Sequence, residues 1–339
     1  MATRPEAAMA VVECTLCPKQ CRIPEGRSGD CRVRVNLDGR LRASTYGTVV
    51  AAHVDPIEKK PFFHFHPGAT ALSVATAGCN LHCDGCQNWE ISQANPEEVE
   101  SHPLPPGELA RLATREGTPF VAFTYTDPIV YYEYAYDSAV ACASRGIGSV
   151  LVTAGYANDA PIRALFRVVK AATIDVKAFD DAFYRAHCGG GLKPVLNTLV
   201  AAREEGIWLE VSNLVIPGMT DDPAKIGELC RWMRTNLGED VPLHFLRFTP
   251  HYRLQNLPST PVVTMDTAWQ IAKDAGMRYV YVGNVPGHPS ESTTCAGCGT
   301  LLIERAGYRL QSVRMKDGRC PSCGAVIPGV FGGVVGGQG

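Results

Sequence analysis

Short apolar runs recur along the middle of this chain, with stretches of helical periodicity between them. The runs fall at 71–75, 120–125, 149–153, 173–176, 208–214, 243–248 and 279–282. They are rich in Val, Ile, Phe and Tyr and show little polar alternation, the pattern of strands covered on both faces. Amphipathic stretches such as 161–170, 192–205 and 222–236 separate them. This alternation predicts an α/β fold with a parallel sheet covered by helices. About six such units favour a partial (β/α)6-type TIM barrel over an open doubly wound sheet. In such a barrel, chemistry belongs at the C-terminal ends of the strands.

Cysteine spacing divides the rest. Residues 1–70 carry one cysteine group and many turn residues, and 53–61 reads as an extended lead-in to the barrel of 71–285. Residues 286–328 carry another cysteine group. The tail 329–339, with six glycines in eleven residues, reads as flexible.

Composition narrows the class. Of 339 residues, 45% are hydrophobic, enough for a substantial core. Basic and acidic residues number 32 and 34, so no charge excess points to nucleic acid or a membrane surface. The first residues lack the apolar stretch of about 7–15 residues that marks a signal peptide. No run approaches the ~18 apolar residues of a membrane span. A cytoplasmic protein is expected.

Fourteen cysteines change the picture. In a reducing cytosol, clustered cysteines read as metal ligands rather than disulfides. Cys142, Cys188 and Cys230 stand alone and read as small buried hydrophobes. The other eleven form three groups.

The central group is Cys79, Cys83 and Cys86, a C-x3-C-x2-C loop directly after the first apolar run. Three thiolates in one loop suit three irons of a [4Fe–4S] cubane and leave the fourth iron open. An open coordination position marks a catalytic rather than a structural centre. It suits the amino and carboxylate groups of S-adenosylmethionine. A zinc knuckle borrowing His82 is the competing reading. A redox Cys83–Cys86 pair is weaker, because it leaves Cys79 unexplained.

The C-terminal group, Cys295-x2-Cys298 and Cys320-x2-Cys323, has zinc-ribbon spacing, with rubredoxin-type iron as the alternative. The alternation over 301–312 suits a small hairpin between the knuckles. The N-terminal group, Cys14-x2-Cys17-x3-Cys21-x9-Cys31, places four thiolates in eighteen residues. Zinc is its first expectation and an auxiliary iron–sulfur cluster the second, since spacing alone does not fix the metal. Lys19, Arg22, Arg32 and Arg34 would offset thiolate charge.

The loop and its continuation, Cys86-Gln87-Asn88-Trp89-Glu90-Ile91-Ser92-Gln93, resemble the radical S-adenosylmethionine superfamily. They resemble more narrowly the radical component of the AmmeMemoRadiSam system, related to the pyruvate formate-lyase-activating enzymes. Further matching segments are 124–128, 175–177, 213–218, 247–252 and 281–285. The resemblance implies reductive cleavage of S-adenosylmethionine to methionine and a 5′-deoxyadenosyl radical, which abstracts hydrogen from a protein, peptide or small molecule. It implies a one-electron donor such as flavodoxin or ferredoxin, and companion proteins of that system as partners. Glycyl-radical-enzyme activation is the alternative reaction, and a non-catalytic zinc scaffold the alternative from another class.

Cofactor contacts are expected from Asp127, Thr153, Asp175, Lys177, Asn213 and His251, each near a strand's C-terminal end. Asp127 is also a good N-cap for the following helix. Asp175 and Lys177 alternate, so they face the same way, as an ion pair or as a cradle for a zwitterion. Two departures from the family pattern stand out. Gly85 occupies a position that is aromatic in the superfamily, with Trp89 as a substitute stacking partner. Asp127 stands where the pattern has glutamate, one methylene longer.

Overall fold

The computed structural model describes residues 11–332. The first ten residues, on which the absence of a leader partly rests, and tail residues 333–339 lie outside it.

A sheet of eight strands forms the centre. We label them β1 (Ala51–Pro56), β2 (Thr70–Ala75), β3 (Phe120–Phe123), β4 (Gly148–Thr153), β5 (Ala171–Asp175), β6 (Trp208–Val215), β7 (Leu243–Arg247) and β8 (Val280–Gly283). Their spatial order follows the chain, from β1 at one edge to β8 at the other, and those two edges do not pair. β2 to β8 run parallel, while β1 lies antiparallel beside β2 with Ala51 opposite Ala75. Each crossover from β2 onward contains a helix: α1 (Pro106–Arg115), α2 (Tyr132–Ala143), α3 (Asp159–Phe166), α4 (Leu192–Glu204), α5 (Pro223–Asn236) and α6 (Val262–Asp274). All seven apolar runs became strands. They are mostly apolar because both faces are covered, with buried exceptions such as Glu210 and His244.

The lead-in differs from expectation. Residues 51–56 are not a free extension but an edge strand of the sheet, ending at Pro56, where a missing N–H costs nothing. The chain then turns under the sheet. Ile57, Phe62 and Phe65 pack against Ala71, Phe120, Val150 and Ala171, residues at the start of the parallel strands. This is the N-terminal end of the barrel, its base.

The C-terminal segment covers that base. Its strands β9 (Thr293–Thr294), β10 (Leu301–Ala306) and β11 (Arg309–Val313) form an antiparallel sheet, with the expected hairpin between β10 and β11. Phe63, Tyr279 and Tyr281 pack against Leu302, Ile303 and Ile327. Glu210 sits at the centre, fully buried. It accepts from the Phe63 and His64 backbone N–H groups at 3.0 and 2.8 Å, from His244 Nε2 at 2.7 Å and from Trp208 Nε1 at 3.0 Å. His64 Nδ1 donates to the Pro328 carbonyl at 2.6 Å, so its Nε2 accepts from the Tyr281 hydroxyl, also at 2.6 Å. Residues 329–332, the start of the expected flexible tail, are pinned here. Val330 bridges Phe65 through backbone hydrogen bonds with His64 and His66 at 2.8 and 2.7 Å.

The N-terminal cysteines lie at the other end. Val12–Glu13 pairs with Arg22–Ile23, and Arg34–Leu37 pairs with Arg40–Ala43. Cys31 and Val33 join the main core beside Val74 and Leu81, at the C-terminal ends of the strands. No described helix is long and apolar enough to cross a membrane.

Candidate active site

The loop that carries Cys79, Cys83 and Cys86 starts where β2 ends, at the predicted catalytic end of the sheet. Gly78 opens it with φ +84°, and its N–H donates to the Ile91 carbonyl at 2.8 Å. A Cβ at Gly78 would meet the Cys31 carbonyl oxygen and Val33 Cγ2, each at 2.5 Å. Only glycine permits both this backbone conformation and this approach. The loop is clasped from two sides. His82 and Asp84 N–H groups donate to the Cys188 and His187 carbonyls at 2.8 and 2.9 Å. After β7, the Arg253 N–H donates to the Asp84 carbonyl at 3.0 Å.

Burial pushes the Cys79 thiol well above its ordinary value, and the nearby Asp127 carboxylate adds to this. Cys83 is raised first by contact with the Cys188 thiol and then by burial. Cys86 is raised by burial, although its Sγ lies 3.2 Å from Ser92 Oγ. Neutral thiols in such surroundings become thiolates when iron takes the proton's place.

Asp127 is 3% exposed, and its oxygens are fully engaged. Thr153 Oγ1 donates to them at 2.9 and 3.1 Å, the Ala154 N–H at 2.9 Å and the Ile129 N–H at 3.1 Å. Asp127 therefore ties the end of β3 to the end of β4, and Thr153 acts as its partner. The shorter side chain turns inward to cap the turn before α2. Burial raises its pKa despite these donors.

Asp175 and Lys177 share a face at the end of β5, as alternation required. Lys177 Nζ lies 2.7 Å from Asp175 Oδ2, and Ser212 donates to the other oxygen. Burial works against the Lys177 charge, but the Asp175 carboxylate and Cys83 sulfur outweigh it and hold its pKa above the usual value. Asn213 donates to the Val176 carbonyl at 2.7 Å, while its buried Oδ1 has no partner among the described residues. His251 stands farther out and contacts Thr249 Oγ1 at 3.0 Å.

Trp89 stacks one face of its ring on Tyr252 at 5.1 Å and 13° and is 39% exposed. A Cβ at Gly85 would meet Leu254 Cδ1 at 3.2 Å, Phe248 Cε2 at 3.5 Å and Ile216 Cδ1 at 3.9 Å. These three side chains, from the loops after β6 and β7, form an apolar wall beside Gly85.

Cys142 and Cys230 are buried in the core, as a lone cysteine predicts. Cys188 is not a bland core residue. It is 2% exposed, closes a π-helical turn (Tyr184–Cys188) and touches Cys83. Nothing near it in sequence signalled this, because the contact spans more than a hundred residues.

In the C-terminal group, Cys295 Sγ and Cys323 Sγ are 3.6 Å apart, as are Cys298 Sγ and Cys320 Sγ. Hydrogen bonds from Thr300 pull the Cys298 thiol down to about 6. Gly299 and Gly324, at φ +74° and +73°, donate to the Cys295 and Cys320 carbonyls and turn each knuckle. Two of the N-terminal basic residues have partners of their own: Lys19 pairs with Asp30 and Arg34 with Glu133.

A mostly parallel α/β sheet with a three-cysteine loop after its first parallel strand defines a class. Residues 73–230 match the Radical SAM superfamily, and the chain belongs to it as an enzyme of that class. An uncharacterised protein of Methanocaldococcus jannaschii is 42% identical over 318 residues, spanning 93% of this chain and 95% of its own. The pyruvate formate-lyase-activating enzyme of Clostridium pasteurianum is 24% identical over 188 residues, 52% of this chain and 76% of that one. The chain is thus related to the pyruvate formate-lyase-activating enzymes. Among solved structures, Streptococcus suis SuiB bound to S-adenosylmethionine shares the fold at TM-score 0.50 and 12% identity, covering 71% of this chain and 56% of that one. The superfamily implies a [4Fe–4S] cluster and S-adenosylmethionine. A zinc scaffold without catalysis is set aside.

Proposed function

We propose that Cys79, Cys83 and Cys86 hold a [4Fe–4S] cluster with one open iron, and that S-adenosylmethionine binds there. The observation that carries this reading is the loop itself: three thiols, clasped from both sides, at the catalytic end of the sheet. The donor set fits three irons of a cubane. When bound, the cluster supplies the electron that cleaves S-adenosylmethionine to methionine and a 5′-deoxyadenosyl radical.

The chain's own residues do the rest. Phe248, Leu254 and Ile216 offer an apolar surface beside Gly85 for the adenine. Lys177 and Asp175 present opposite charges toward the cofactor's zwitterion and ribose, and Asn213 Oδ1 supplies a free acceptor. Asp127 acts as a positioning residue, holding Thr153 and the end of β4 in place. His251 lies at the rim, where a substrate enters.

The radical abstracts hydrogen from a protein, peptide or small-molecule substrate. The resemblance to the AmmeMemoRadiSam radical component favours companion proteins of that system as partners. Similarity to the Clostridium pasteurianum enzyme keeps glycyl-radical activation as a second reading. The ribbon sulfurs, 3.6 Å apart, suit one zinc ion. A flavodoxin or ferredoxin is the expected electron donor in a cytoplasmic setting.

Anaerobic reconstitution with iron and sulfide tests the reading. Reduced enzyme should convert S-adenosylmethionine to 5′-deoxyadenosine, and Cys83→Ala should abolish the product. Wild-type protein that binds iron and yields none would overturn the reading.

A further inference from the structure

The four N-terminal cysteines are gathered but not closed around a point. Among the described residues, the C-terminal four are the only set of three or more candidate ligand atoms within 4.8 Å of one another. No three of Cys14, Cys17, Cys21 and Cys31 meet that spacing, and neither do Cys79, Cys83 and Cys86. Zinc–sulfur bonds of about 2.3 Å place tetrahedral sulfurs about 3.8 Å apart. The ribbon pairs, at 3.6 Å, match one ion. In a four-iron cluster each thiolate binds a different iron, and in a two-iron cluster the four divide between two irons, so the four sulfurs do not crowd around one point. Neither the N-terminal set nor the catalytic loop is drawn together as the ribbon is.

It is nonetheless one site. All four cysteines line a single cavity, with Asn80 on its wall. The Cys14 N–H donates to the Cys21 carbonyl at 2.9 Å, which holds those two side by side. Polar groups already address the sulfurs. The Asp30 N–H donates to Cys21 Sγ at 3.5 Å, and the Asn80 side chain lies against Cys17. Donors to sulfur are one of the means by which proteins tune cluster potential.

The site also abuts the catalytic loop. The Cys31 carbonyl meets Gly78, the residue before Cys79, closely enough to exclude a Cβ. Asn80 spans the gap: its Oδ1 is 4.0 Å from Cys79 Sγ, while the same side chain touches Cys17. A second bridge runs from His82, between Cys79 and Cys83, to Asp30 at 2.7 Å and on to Lys19.

We propose that Cys14, Cys17, Cys21 and Cys31 hold a polynuclear iron–sulfur cluster rather than zinc, and that it exchanges electrons with the neighbouring catalytic loop. The site stands on its own geometry, whereas the exchange rests on the reading that the loop holds a redox-active cluster. In that exchange one electron leaves one centre and enters the other, and no atom or proton moves. The electron comes from a reduced one-electron carrier of the ferredoxin or flavodoxin class.

The test starts from the full chain with Cys79, Cys83 and Cys86 all changed to Ala, reconstituted anaerobically. It should retain iron and sulfide in equal amounts, about two to four of each, and show the electron paramagnetic resonance signal of a reduced cluster. One zinc per chain should remain in the ribbon. Two zinc ions and no iron would overturn the proposal. This result is independent of whether wild-type protein makes 5′-deoxyadenosine, so failure of the catalytic reading is seen separately.

The exchange is tested with Cys17→Ser/Cys21→Ser, its folding checked by circular dichroism and ribbon zinc. Product formation driven by reduced flavodoxin should slow about tenfold, while formation driven by dithionite should change far less. Asn80→Val, which keeps all seven thiols, serves as a second variant. In that protein both clusters should load, and the signal broadening from their mutual spin coupling should persist. Equal slowing with both reductants in both variants would overturn the role. Absence of spin coupling in doubly reduced wild-type protein would do the same.

Discussion

The two outer cysteine groups occupy opposite ends of the barrel and are built differently. The C-terminal four are drawn to within 4.8 Å of one another and seal the base of the sheet. Their support is a buried ionic network around Glu210. The N-terminal four are spread around a cavity and press on the loop of Cys79, Cys83 and Cys86. Cysteine spacing alone makes the groups look alike. Their location separates a group that holds the molecule together from one placed beside the chemistry.

That contrast can be broken experimentally. The largest stability effect should come from Glu210→Ala, which strands two backbone donors, the Trp208 indole and His244 in the interior. Removing one partner of a buried charged network costs about 3–5 kcal/mol, readable as a fall in melting temperature. Product formed per folded, iron-loaded molecule should stay at the wild-type level. A selective loss of turnover without loss of stability would mean that the base is not merely structural.

Gly78→Ala should act at the other end. Its Cβ would collide with the Cys31 carbonyl at a positive φ, a combination expected to cost about 2–3 kcal/mol. Here iron retention and product formation should fall together. Gly26→Ala is the control. It has a similar φ of +69° with nothing within 4 Å, and should cost about 1 kcal/mol without affecting iron.

Chelation of the ribbon metal should be milder still. It should loosen the segment around β10 and β11, seen as faster amide exchange, while the iron content remains. Stripping both metals at once would show that the two ends are not independent.

A further effect is a pH dependence at the base. Burial pushes His64 down to about 4, from an ordinary 6.5. Its pKa is depressed in the folded protein, so the unfolded chain takes up the proton first. Stability is therefore full above about 6.5 and declines as pH falls toward about 4. Protonation would also remove the acceptor that Nε2 offers Tyr281. His64→Gln should flatten a melting-temperature profile across that window.

The parallel strands were legible because burial on both faces leaves a continuous apolar run that needs no context. β1 was not. His53, Val54 and Asp55 are polar or half exposed, and an antiparallel edge strand carries no such signature. The cluster cysteines were legible because all three sit in one loop. Cys188 was hidden because only the clasp between 82–84 and 187–188 brings it to Cys83. Asp127 was located correctly at the end of β3, but its partners come from β4, and only the fold shows that its oxygens are engaged. Phe248 and Leu254 reach Gly85 from more than 150 residues away, which no local pattern reports. The identity of metals at the two outer groups depends on sulfur spacing in three dimensions, a quantity that C-x2-C notation does not contain.

The strand-like bridge between Val330 and Phe65 has a consequence for biosynthesis. The underside of the sheet is assembled from residues more than 260 positions apart. A nascent chain emerging from the ribosome can pair β1 to β8 in order, each beside the last. It cannot finish the underside until residues 328–330 have emerged. Until then Phe63, Tyr279 and Tyr281 present an oily patch to solvent, the kind of surface that chaperones hold. Arrival of residues 328–330, rather than formation of the sheet, is then the event that completes the underside.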